Sequence, residues 1–231
     1  MHRRLAWFRA LCVVVSALLA TAVLAQQTQL TWEQLQQVYA CDAAAPLNVE
    51  QGETTQQGAT TIEALSFAGA GGDRVPAVLY RPANVERPPC CLFLHGYGGK
   101  KEDAMLLGAV LLPKGIAVMA IDARLHGERA EEGHELLSPE ALAEGGGPII
   151  KTVIDNRRAL DYLATRADLD ADRIVLVGVS MGGILGAVLA GVDERIDAAA
   201  LVVAGGRWDL ARNLRAMQEW LEREREVGAG R

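Results

Sequence analysis

Residues 10–25 form a mostly apolar run free of charge, and then the pattern turns polar. Residues 26–59 are Gln-rich, with Trp32, Leu35, Val38 and Tyr39 near helical spacing behind Thr31, a residue able to cap a helix. This stretch reads as an N-terminal extension that packs on a following core. Residues 62–68 and 75–80 read as two strands around the turn Gly69-Ala70-Gly71-Gly72. A proline-containing loop, 81–89, follows them.

From Cys90 the pattern alternates. Residues 90–94, 116–121 and 174–177 are short apolar runs, as expected of strands buried on both faces, and 198–203 reads as a fourth strand that would stand here as an uncovered apolar edge. Between them, 102–112 and 181–190 read as helices. Ile149, Val153, Leu160 and Leu163 step by helical intervals and predict an amphipathic helix after a long polar loop, 122–147. This order predicts an α/β fold with a mostly parallel sheet covered by helices on both faces, and an antiparallel edge from the two earlier strands. The domain is expected over 60–231. Beyond Gly206, Leu210, Leu214, Met217 and Leu221 share one helical face and Glu219, Glu222, Arg223 and Glu226 the other, as in a solvated surface helix or a cover over substrate.

Length and charge narrow the classes. A chain of 231 residues with 50% hydrophobic content can bury one substantial core. Its net charge is −6, aromatic residues are scarce and no basic stripe is present, so nucleic acid is not an expected partner. Arg3, Arg4 and Arg9 precede the apolar run, which ends in small residues before Gln26. Residues 1–25 therefore read as a signal peptide, with export to the periplasm or the exterior. The run is short for a membrane anchor, which needs about 20 apolar residues. Losing it would bring the net charge to about −9. No stable membrane insertion is expected afterwards, and oligomeric state is left open. Of four cysteines, Cys12 leaves with this segment. Cys90 and Cys91 would point to opposite faces of a strand as buried thiols, with a bridge to Cys41 the alternative. His2, His95, His126 and His134 show no metal-site spacing.

Three motifs carry chemistry. Gly178-Val179-Ser180-Met181-Gly182-Gly183 lies between a predicted strand and a predicted helix. In a chain with 24 glycines, Gly-x-Ser-x-Gly alone would arise by chance on the order of one time in ten, so its context carries the weight. A strand-to-helix turn this sharp needs glycine two residues either side of the serine. It would lift the Ser180 hydroxyl above the sheet at a helix N-terminus, as a nucleophile. His95-Gly96-Tyr97-Gly98-Gly99 follows the strand at 90–94. Acyl transfer places negative charge on oxygen, and the N–H groups of Met181 and Tyr97 are the expected oxyanion donors, each worth roughly 3–4 kcal/mol. His95 itself reads as structural rather than catalytic. Asp122-Ala123-Arg124-Leu125-His126-Gly127-Glu128-Arg129 stands at the C-terminal end of a strand, where open parallel sheets line their ligand crevice. Arg124 and His126 would shape a pocket from an internally bonded loop, or belong to a solvated one.

Together with Asp155-Asn156-Arg157-Arg158-Ala159-Leu160-Asp161-Tyr162-Leu163, these motifs resemble the α/β-hydrolase fold over about residues 60–206, and most of all its dienelactone hydrolase, acetyl esterase and prolyl-oligopeptidase-like branch. The resemblance implies a serine hydrolase of small or medium carboxylic esters, without metal or organic cofactor. A peptidase is the nearest enzymatic alternative, though the propeller-type domain such peptidases usually carry is absent. The family order is Ser, then Asp or Glu, then His, carried by two further strands. Here no histidine follows Ser180, and Asp209 looks like part of a helix start. The chain thus looks truncated, and a hydrolase-derived scaffold or binding protein is the non-enzymatic alternative.

Overall fold

The computed structural model describes residues 31–134, 136 and 147–205. The predicted signal segment and the predicted helix after Gly206 lie outside the described residues. Helix α1 (Trp32–Val38) belongs to a unit of its own that ends at Val38. Thr31 and Gln34 close it reciprocally: the Gln34 N–H donates to Thr31 Oγ1 at 3.3 Å, and the Thr31 N–H to Gln34 Oε1 at 2.8 Å. Among the described residues no helix is long and apolar enough to cross a membrane.

In the second unit the strands are β1 (Glu50–Gln57), β2 (Thr60–Ala68), β3 (Arg74–Pro82), β4 (Pro89–Leu94), β5 (Ala117–Ile121), β6 (Asp170–Val179) and β7 (Ala198–Val202). They form one sheet in the order β1-β2-β3-β5-β4-β6-β7. The pairs from β1 through β3 to β5 are antiparallel, and β5-β4-β6-β7 are parallel. The expected antiparallel edge is there, with one more strand than the sequence pattern showed. β1 lies inside the predicted extension. Seven of its eight residues are exposed, so it has no apolar alternation to read, and it bulges between Gln51 and Thr54.

Helices α2 (Ala104–Leu111), α3 (Gly147–Thr165) and α4 (Met181–Val192) cover the sheet. The predicted helix at 102–112 is broken into tight turns at Lys101–Asp103 and Leu112–Lys114 around α2, the second containing Pro113. One face of the sheet packs Leu92, Met119 and Leu176 against Val153, Leu160 and Leu163 of α3 and Leu185 and Leu189 of α4. The other packs Phe93, Val118 and Ala120 against Ala104 and Leu112. Cys90 and Cys91 fall on opposite faces as free thiols, and Cys41 is also free. Burial pushes both strand thiols up to about 12, so they stay protonated and unreactive at neutral pH. β7 stands at the sheet edge with its side chains exposed, Leu201 and Val202 among them.

Candidate active site

β6 runs into the turn and α4 leaves it. Between them Ser180 holds φ 53° and ψ −115°, a region that a β-carbon disfavours. The fold holds the strained residue from both sides. The Ser180 N–H donates to the Val202 carbonyl of β7 at 2.8 Å, and the Ser180 carbonyl accepts the Ile184 N–H at 3.1 Å. The glycines are sterically required. A β-carbon on Gly178 would run into the Gly182 carbonyl, and one on Gly182 into the carbonyl oxygens of Leu94 and His95. Ser180 is thereby left exposed at the C-terminal end of the parallel strands.

The His95–Gly99 loop arrives at the same place because β4 neighbours β6, with Leu94 level with Gly178. A β-carbon on Gly96 would lie 3.5 Å from the Val179 carbonyl and 3.7 Å from Ser180 Cβ. Tyr97 follows Gly96, and Met181 opens α4, so the two predicted oxyanion donors sit on the two segments that meet at Ser180. His95 is 2% exposed, with both ring nitrogens engaged by backbone. Nδ1 lies 2.8 Å from the Gly96 carbonyl, and Nε2 lies 3.1 Å from the Ala123 nitrogen, whose N–H it accepts. The His126 ring packs 5.3 Å from the His95 ring and 5.3 Å, edge-on, from the Tyr97 ring. Its Nδ1 donates to the Arg124 carbonyl at 2.9 Å.

The charged loop after β5 is bonded internally and to its surroundings. Asp122 is fully buried; it accepts the Lys101 N–H at 2.8 Å, the Lys101 ammonium at 3.0 Å and the Glu128 N–H at 3.0 Å. Burial works against charge on Lys101, but bonds to Glu128, Asp122 and Glu102 outweigh it and hold the ammonium above its ordinary range. Gly127 is required where a β-carbon would meet the Asp122 carboxylate. Arg124 reaches Asp73 at 2.6 Å, and both Arg124 (3.1 Å) and Arg129 (2.8 Å) converge on the Asp155 carboxylate of α3. Between this loop and the His95–Gly99 loop lies a cavity of about 210 Å³, bounded by Tyr97, Leu125, His126, Ala130, His134 and Leu136 among others.

Sequence reasoning brought Ser180, Met181, Tyr97, Gly178, Gly182, His95, Arg124 and His126 forward, and the fold gathers them around the ends of β4, β5 and β6. It gave no role to Asp155, which stood only inside the segment carrying the resemblance, and passed over Lys101 and Thr152. Thr152 Oγ1 accepts the Arg124 N–H at 3.2 Å and so helps seat the loop. The one sequence signal was their company: Thr152, Asp155 and Asn156 fall within a helical turn beside the core residue Val153.

His95 makes stability depend on pH. Burial lowers its affinity for a proton, against the opposing effect of its bond to Gly96. Unfolded, the imidazole titrates near the ordinary value of about 6.5. The unfolded chain therefore binds more protons between that value and the lower folded one, and stability should fall as pH drops through this window. Urea titrations from pH 7.5 to pH 5 check this: His95→Asn should flatten the slope, and an unchanged slope would remove His95 as its source.

Comparison with known proteins adds the following. Residues 91–230 match the model of the alpha/beta hydrolase family. YtaP of Bacillus subtilis (strain 168), provisionally described as a hydrolase, is 30% identical over 165 residues, which cover 65% of this chain and 55% of that protein. YitV of the same organism, provisionally described as an esterase, is 34% identical over 105 residues, 44% of this chain and 40% of that one. The chain thus spans about half the length of the curated relatives it matches. An acetyl xylan esterase from Paenibacillus sp. R4 shares the fold with a TM-score of 0.65 at 23% identity, over 83% of this chain and 66% of the other.

Proposed function

This chain belongs to the α/β-hydrolase family, and on that premise we propose that it acts on carboxylic esters with Ser180 as nucleophile. The observation that carries the reading is the Ser180 turn, strained at φ 53° and facing the Gly96 segment. Strain of this kind is kept where it serves a purpose, and here it exposes a hydroxyl at a helix N-terminus beside a second loop of backbone donors. In the proposed reaction Ser180 Oγ bonds to the acyl carbon and its proton passes to a base. The tetrahedral oxyanion is held by the Met181 and Tyr97 N–H groups, and the alcohol leaves with a proton. Water then attacks the acyl-enzyme, releasing the acid and restoring the hydroxyl.

The ester class is supported by the YitV likeness and, at the level of fold, by the acetyl xylan esterase. The cavity of about 210 Å³ beside the oxyanion loop suits a small or medium substituent. Export, on the strength of residues 1–25, would place the reaction outside the cytoplasm.

Incubation with excess fluorophosphonate, followed by intact mass and peptide mapping, tests the nucleophile. Slow, stoichiometric modification at Ser180 is expected, with none in Ser180→Ala. Modification that persists in the alanine variant would overturn the assignment. A second reading, a scaffold that has lost its base, is favoured by one observation: the ring bonds of His95, His126 and His134 among the described residues go to backbone groups other than Ser180's. In that reading Ser180 stays unmodified.

A further inference from the structure

We propose that His95 is a positioning residue for oxyanion stabilisation: its imidazole orients and polarises the Gly96–Tyr97 peptide, whose N–H is one of the two donors. The inference rests on the reading of Ser180 as nucleophile and the Tyr97 N–H as donor.

The tautomer is fixed by the partners. Nε2 accepts the Ala123 N–H, so it carries a lone pair, and the proton must sit on Nδ1. Nδ1–H then donates to the Gly96 carbonyl at 2.8 Å. The same oxygen accepts the Gly99 N–H at 3.0 Å, so both of its lone-pair positions are used. A trans peptide is planar, with C=O and N–H pointing in opposite directions. Fixing the Gly96 oxygen therefore fixes where the Tyr97 N–H points. Two donors on the carbonyl also draw electron density from the peptide and make its N–H a stronger donor. Ala123 begins the loop after β5, so the ring ties the oxyanion loop to the neighbouring strand's end. Burial keeps the ring neutral, and only the neutral ring can serve both partners. Preorganisation of this kind removes the cost of turning a donor toward charge as it develops.

Two substitutions separate positioning from packing. His95→Asn places an amide N–H near the Nδ1 position and keeps the bond to Gly96, but leaves the Ala123 N–H without an acceptor. His95→Gln reaches the Nε2 position and can accept from Ala123, but gives up the donor to Gly96. Fluorophosphonate modification of Ser180 is timed by intact mass, and stability is read by urea unfolding of the same full chains. His95→Gln should label roughly ten- to a hundredfold more slowly than the unsubstituted chain, less than the loss of a whole donor. His95→Asn should be the less stable of the two yet label about tenfold faster than His95→Gln. Labelling that follows stability across the two variants, or equal rates in all three chains, overturns the proposal. In the unsubstituted chain, imidazole nitrogen shifts should show His95 protonated on Nδ1 and bare on Nε2; the other tautomer also overturns it. Failure of the unsubstituted chain to label at Ser180 would instead overturn the nucleophile assignment beneath it, a separate result.

Discussion

Ester hydrolysis by these 231 residues is expected to run only at a trace rate, roughly a thousand- to ten-thousand-fold above water and on the order of a million-fold below a complete Ser-His-acid enzyme. A serine hydroxyl is a weak nucleophile until a base takes its proton. No histidine follows Ser180 in the sequence. Of those before it, His95 spends both ring nitrogens on backbone, and His126 commits Nδ1 to the Arg124 carbonyl. What remains is the strained turn and the proposed oxyanion donors, which would account for the residual rate. Turnover of p-nitrophenyl acetate, with Ser180→Ala as the blank, measures it. Adding a segment that supplies an Asp and a His after Ser180 should raise the rate, and Ser180→Ala should abolish the gain. Fast turnover of the 231 residues that His126→Ala abolishes would mean that a loop histidine serves as the base.

Asp155→Ala should destabilise the fold by about 3–5 kcal/mol, the range for removing one partner of a buried ion pair. Asp155 is fully buried in α3, accepts the Ala70 N–H at 2.7 Å and an Arg129 N–H at 2.8 Å, and is ion-paired with Arg124 at 3.1 Å. Truncation takes from Arg129 its carboxylate partner among the described residues, leaves Arg124 with Asp73 alone, and orphans the Ala70 N–H. Those groups belong to the turn before β3 and to the loop beside the proposed pocket, so loosening should be felt at both. Asp155→Asn keeps an acceptor for Ala70 and should lose less. Urea unfolding checks both variants; a loss under about 1 kcal/mol for the alanine would show that water replaces the carboxylate readily.

The Ser180 turn and the glycine loop were legible because steric necessity writes itself into sequence: glycine is the residue that fits at Gly178 and Gly182. β4 and β5 were legible because burial on both faces leaves short apolar runs, and β7 shows the same kind of run although it stands exposed at the edge. β1 was not, since its exposed polar residues are held by backbone pairing that any side chain permits. Asp155 and Lys101 were also hidden. A charge on a helix or in a turn looks like a surface residue until the fold brings its partner, and Lys101 and Asp122 come from separate strand ends. The dense charge after β5 left a solvated and an internally bonded loop open; pairing with Lys101 and Asp155 selects the second.

Leu94 and Gly178 sit side by side on β4 and β6 but are roughly 80 residues apart along the chain, with β5 and α3 threaded between them. The His95–Gly99 loop and the Ser180 turn therefore cannot meet by local search. Closing so long a loop costs entropy before any of the contacts that reward it have formed, so the site is a late event in folding. On refolding from urea, reactivity at Ser180 should lag behind the return of helical signal, making the serine a clock for completion of the parallel sheet rather than for collapse.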